Sequence, residues 1–113
     1  MRYFILLAVM PFLLLGCKQA VNPEIEHWLG LWTGPEGTSL VVTQEGTDYT
    51  VIIKNLDGPR RFPAIGDAQG LRFTRDGVIE TIHHGDGPET GMKWLTEKKN
   101  CLIVKTGEGF CRD

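Results

Sequence analysis

The sequence predicts an all-β domain: a small antiparallel barrel of seven or eight strands behind one short N-terminal helical turn, with a β-sandwich as the alternative. Three observations predict it. Apolar residues recur in short runs and with period two, and no stretch after residue 30 sustains a 3.6-residue period. Glycine-containing turn signals punctuate those runs, 14 glycines in 113 residues, which leaves no room for long helices. With so little helix available to cover a sheet, the sheet must cover itself, and closure into a barrel does so while removing exposed edges.

The chain begins with a targeting pattern. Arg2 is a short positive region, and Tyr3 to Leu15 form an apolar stretch interrupted by Pro11, too short for a good membrane span and suited to a signal peptide. It ends in Leu14-Leu15-Gly16-Cys17, which resembles the lipobox of bacterial lipoproteins. The resemblance implies cleavage after Gly16 and a thioether-linked, N-acylated Cys17 carrying diacylglycerol and palmitate. The chemistry suits these residues: a thiol supplies the nucleophile for diacylglyceryl transfer, and a small neighbour admits the peptidase. At about 0.8 kcal/mol per buried CH₂, three acyl chains make attachment effectively permanent. An ordinary cleaved signal followed by an unmodified cysteine is the alternative. Lys18 stands where an aspartate signals inner-membrane retention in many Gram-negative lipoproteins, so the resemblance implies the outer membrane, periplasmic face. The expected organisation is a signal peptide over 1–16, a lipid-anchored tether over 17–23 and a single β domain over 24–113. Removing residues 1–16 leaves 97 residues with 11 basic and 14 acidic side chains. This mildly acidic balance, with no Lys/Arg stripe, excludes a nucleic-acid partner.

In the expected domain, Asn22 caps a helical start with Pro23 at its first position and acidic residues in its first turn, and Gly30 stops it. Strands follow near Trp32 and over residues 38–44, 48–56, 60–65, 71–75, 78–84, 91–96, 101–105 and 109–112. In the 48–56 run Tyr49, Val51 and Ile53 share the face assigned to the core. Asp57-Gly58-Pro59, Glu45 to Asp48 and Glu97 to Asn100 make turns, and Asp76-Gly77 is a two-residue hairpin signal. Trp28, Trp32, Trp94, Tyr49, Phe62, Phe73 and Phe110 are the expected aromatic core, with Trp28 placed either at the barrel bottom or at a membrane interface.

Setting Cys17 aside leaves Cys101 and Cys111, in a compartment where disulfides persist. A bridge between them closes a terminal hairpin around Thr106-Gly107-Glu108-Gly109 and holds down a C-terminus that would otherwise fray. The pair lacks Cys-x-x-Cys spacing, which argues against redox activity.

Gly30-Leu31-Trp32, after a helical turn and before the first strand, resembles the Gly-x-Trp signature of the lipocalin superfamily. The resemblance implies that Trp32 plugs the closed end of a barrel and packs against Arg112 near the end of the last strand. An indole sealing a barrel end under a stacked guanidinium is sound physics in its own right. In size and terminal disulfide the chain is also similar to small periplasmic lysozyme inhibitors, some of them lipid-anchored.

A strict two-residue turn at Asp76-Gly77 sets Arg75 opposite Val78, Phe73 opposite Glu80 and Leu71 opposite Ile82. Glu80 then shares an apolar face with Leu71, Phe73 and Ile82, and Arg75 and His84 fall on that face too. A carboxylate there needs a partner or a proton. Arg75, Glu80 and His84 are therefore the candidate ligand or pocket contacts; the competing readings are a turn one residue longer, which reverses the faces relative to one another, and a structural Arg75–Glu80 pair near a rim. His83 and His84 point to opposite faces if both lie in a strand, so no metal site is expected. Asp86 and Glu89 do not match a calcium loop. Ser39 is the only serine after the signal and has no recognisable histidine partner, and no motif sets two carboxylates for glycosidase chemistry. No enzyme and no cofactor is expected. The partner classes are the membrane, through the anchor, and a periplasmic protein or small ligand. The expected function is a non-enzymatic binding or envelope-accessory role. The alternative is an inhibitor of an envelope hydrolase such as a lysozyme, presenting the acidic Asp86 to Glu89 loop to a basic cleft.

Overall fold

A computed structural model describes residues 22–113 and shows an eight-stranded closed antiparallel barrel, each strand paired with the next and the last with the first. Closure by β1 against β8 excludes the sandwich. The strands are β1 Gly30–Thr33, β2 Ser39–Glu45, β3 Asp48–Asn55, β4 Gly58–Asp67, β5 Gly70–Arg75, β6 Val78–Gly85, β7 Asn100–Lys105 and β8 Glu108–Arg112. The expected leader, lipobox and most of the expected tether lie outside the described residues. Among the described residues no helix is long and apolar enough to cross a membrane.

Alternation decides which side chains enter the barrel. Trp32, Leu40, Val51, Leu71, Ile82 and Leu102 are almost completely buried inside it, and Tyr49, Val51 and Ile53 share the inner face as the period-two reading expects. Each such burial contributes about 1.5–3 kcal/mol before entropy is charged against it. Asp76 and Gly77 both adopt positive φ, 54° and 81°, the backbone of a type I′ turn whose twist matches that of the flanking strands. The resulting register is Arg75↔Val78, Phe73↔Glu80 and Leu71↔Ile82.

One end of the barrel is plugged. Pro23–Trp28 forms a 3-10 helix capped by Asn22, whose side chain accepts from the Glu24 amide, and it buries Ile25 and Trp28. Trp28 thus belongs to the barrel bottom. Trp32 Nε1 donates to the Trp28 carbonyl at 2.7 Å, and the Arg112 guanidinium lies 3.8 Å from the Trp32 ring centroid while donating to the carbonyls of His27 and Leu29.

Two expectations are corrected in the β6–β7 connection. Residues 91–96 are not a strand but part of a strap containing the 3-10 turns Pro88–Thr90 and Lys93–Leu95. Asp86 and Glu89 exchange reciprocal backbone bonds, and Thr90, fully buried, accepts from the Met92 amide and donates to the Gly87 carbonyl. These local bonds satisfy the chain without a ladder. Trp94 is correspondingly not in the core: its neighbour Leu95 turns inward and leaves it 71% exposed. Leu95 and Met92 instead cover the Cys101–Cys111 disulfide, which joins directly opposed residues on the outer surface of β7 and β8.

Candidate functional site

The end opposite the plug is open. An indentation of about 610 Å³ lies there between the β5–β6 and β7–β8 turns, lined among others by Arg75, Val78, Glu80, Lys105, Glu108 and Phe110. Arg75 is brought inward by the Asp76-Gly77 turn, one position before it. Its guanidinium donates to both carboxylate oxygens of Glu108, at 2.8 and 2.7 Å, and to Glu80 Oε2 at 2.9 Å from Nη2 and 3.3 Å from Nε. Lys105 Nζ adds a fourth charge, 3.6 Å from Glu80 Oε2. The side chains of Arg75 and Glu80 are 12% and 11% exposed, so this pair within the neutral group of two cations and two anions is largely removed from solvent, while Lys105 stays exposed at the mouth. The paired fork of Glu108 raises the Arg75 pKa above the usual guanidinium value, with Glu80 adding to it and desolvation opposing both. Arg75 also lies 5.6 Å over the Phe73 ring.

A second tie crosses the rim. Arg60 donates from both terminal nitrogens to the two oxygens of Asp76, at 3.2 and 2.9 Å. This hydrogen-bonded fork holds the Asp76 carboxyl below its ordinary range. These ties fall where backbone pairing stops. β4 pairs with β5 over Ile65↔Arg72 to Asp67↔Gly70, and β6 with β7 over His83↔Ile103 to Gly85↔Cys101. The hairpin tip from Phe73 to Glu80 has register partners only within itself and is fastened to its neighbours by side chains.

Of the candidate contacts, Arg75 and Glu80 meet at the mouth as a pair. His84 does not join them. It has the same face parity, but lies at the plugged end of β6, where Nε2 is 2.6 Å from Asn100 Oδ1 and its ring meets Trp32 edge-on at 6.5 Å. Four residue steps along β6 separate His84 from Glu80, which the shared face suggested would converge. Glu108, Lys105, Arg60 and Asp76 escaped the sequence reading. Lys105 and Glu108 flank the Thr106-Gly107 turn and are legible as a hairpin pair, but only barrel closure brings them beside Arg75. Among the described residues no group of three His, Cys, Asp or Glu side chains is arranged to hold a metal ion. No protein-family model matches the chain, and no curated protein or solved structure gives a match to it.

Proposed function

We propose that the chain is an outer-membrane lipoprotein, anchored through Cys17 on the periplasmic face, whose open barrel end binds a periplasmic protein or small ligand in a non-enzymatic, envelope-accessory role. The observation that carries this reading is the opposite placement of the two ends. Asn22, the first described residue, donates from Nδ2 to the Asp67 carbonyl beside the plug, so it sits at the closed end while the indentation occupies the other. Five residue steps from Cys17 to Asn22 span at most about 18 Å. An anchor on that leash keeps the plug beside the bilayer and turns the mouth toward the periplasm.

The mouth has the attributes of a docking site: an apolar floor at Phe110, exposed Val78 on its rim and polar groups held in fixed positions by one another. The inhibitor alternative is not favoured by the Asp86 to Glu89 loop. Both carboxylates there are committed to backbone amides of the loop itself. The test is affinity capture from envelope extracts with the full chain, its Cys17→Ala variant and a Val78→Asp variant, each also fractionated by membrane. The expected result is outer-membrane localisation that Cys17→Ala abolishes, and a retained partner that Val78→Asp loses. An unacylated thiol at Cys17 by mass spectrometry would defeat the anchoring half, and capture indifferent to Val78→Asp the docking half.

A further inference from the structure

We propose that the β5–β6 tip, Phe73 to Glu80, is a gate over the barrel interior: it swings outward from the Arg72–Thr81 pair and admits an apolar group of the ligand to the space that Phe73 leaves. This deepens the reading of the mouth as the docking end and rests on it.

The argument starts from register. The β4–β5 ladder ends at Ile65↔Arg72, and its next hydrogen-bonded position would oppose Pro63 to Thr74. Pro63 has no N–H to give there, so the sequence itself stops the ladder. On the other flank β6–β7 pairing ends at His83↔Ile103. There β7 carries a bulge between Ile103 and Lys105, just before the point where Lys105 would oppose Thr81. Arg72 and Thr81 are themselves directly opposed. Two separate devices, a proline and a bulge, thus free the hairpin from both neighbours beyond this pair, which makes it the hinge line.

The ties that hold the gate shut part at little electrostatic cost. Arg75 and Glu80 both ride on the tip, whereas Lys105 and Glu108 stay behind, directly opposed on β7 and β8. The four charges therefore divide into two neutral pairs, and none is orphaned in the enclosed mouth. The Arg60 and Asp76 side chains are 47% and 71% exposed, so water replaces each partner when that tie breaks. Apolar contact supplies the remaining hold. Phe73 is buried, 5.0 Å from Phe62, in one cluster with Val104 and Phe110. The space it vacates is apolar, so an uncharged alkyl or aryl group fits there and a charged one is penalised. Swung out, the tip is a lone two-stranded hairpin, marginal in water, so the open state is a minor one.

Thiol trapping tests this in the full chain carrying Cys17→Ala, with the Cys101–Cys111 bridge intact. Val104→Cys, at a buried residue in the bulge that borders the gate, reports its opening; Val51→Cys, buried on β3 with ladders on both sides, reports global unfolding. The probe is the uncharged aryl disulfide dithiodipyridine. At equal global stability Val104→Cys should react at least about tenfold faster than Val51→Cys, at a rate nearly independent of low urea, because a local opening exposes little surface. Pro63→Val supplies the missing N–H at an exposed position and should slow only the Val104→Cys reaction, and Arg60→Gln should speed it. Thermal unfolding by circular dichroism checks that each variant is folded. Equal rates, or one urea dependence shared by both thiols, overturn the proposal, since the interior then opens only by global unfolding. A Val104→Cys rate that Pro63→Val leaves unchanged does so as well, because the opening is then not at this seam. Labelling needs no partner, so the two readings fail separately. Capture indifferent to Val78→Asp beside fast, Pro63-sensitive labelling defeats the docking reading and leaves the movement; slow labelling beside specific capture defeats the gate alone.

Discussion

Arg75 shows how one side chain sets the character of the mouth. Its guanidinium bridges Glu80 and Glu108, and Arg75→Met leaves Glu80 in a mostly enclosed position with only Lys105 in reach. Removing one member of such a pair is costly because the orphaned charge stays desolvated. Urea unfolding should show a loss of about 2–3 kcal/mol, less than for a fully buried pair because water reaches the mouth. Combining Arg75→Met with Glu80→Leu should recover most of it, and failure to recover would mean that Arg75 acts through Phe73 or Glu108 instead. The Arg60–Asp76 fork has its own pH signature. Asp76 has a lowered pKa in the folded chain, so the tie is complete above the ordinary aspartate value of 3.8 and is lost as pH falls through the depressed one. A carboxyl NMR titration should place the Asp76 transition below the ordinary aspartate value, and Arg60→Gln should move it back up. Gly87 is constrained by space alone: a Cβ there would lie 1.7 Å from the Leu95 carbonyl oxygen, so Gly87→Ala must displace the strap.

At the level of elements, the β5–β6 hairpin and the strap are fastened differently, and each fastening can be undone separately. The hairpin tip relies on charges, so raising salt from 0.05 to about 1 M, which shortens the screening length from over 10 Å to about 3 Å, should speed amide hydrogen exchange at Glu80 more than at Val51, which has ladder partners on both sides. Equal acceleration at the two sites would mean that packing of Phe73 on Phe62, 5.0 Å apart, already holds the tip. The strap relies on the disulfide beneath it, and replacing Cys101 and Cys111 by Ala should cost about 2–3 kcal/mol of unfolding free energy for a bridge spanning 10 residues. These two elements also mark how far the sequence was legible. The hairpin register could be read once a two-residue turn was assumed, because Asp-Gly favours the type I′ geometry and that turn fixes every opposed pair after it; a turn one residue longer would have reversed the faces. The strap could not be read from its alternation, since Met92, Trp94 and Thr96 imitate period two while lacking any strand to pair with. The Asp86-x-x-Glu89 spacing and Pro88 were the local signals of a non-strand segment. His84 was placed on the correct face but at the wrong end, because a shared face does not bring together residues four positions, about 13 Å, apart along one strand. Glu108 needed closure of β8 against β1, a contact 78 residues apart in the chain.

The whole molecule is a barrel with unlike ends, and the stability of the plug and the availability of the mouth should be separable properties. Arg112 ties the last strand to the N-terminal 3-10 helix through the His27 and Leu29 carbonyls and covers the Trp32 ring. Arg112→Ala removes a cation over an indole together with two charge-assisted bonds, a loss of about 2 kcal/mol in a partly exposed setting. Lysine at this position keeps the charge but not the planar fork that reaches two carbonyls while stacking, so Arg112→Lys should rescue only part of the loss. Unfolding midpoints followed by Trp fluorescence check the magnitude. Hydrogen exchange checks the location: protection should fall over Glu24 to Leu29 and stay unchanged at Glu80. Protection lost at both ends together would mean that the interior transmits the loosening, and the barrel would then behave as one cooperative unit rather than a plugged base carrying an independently latched rim.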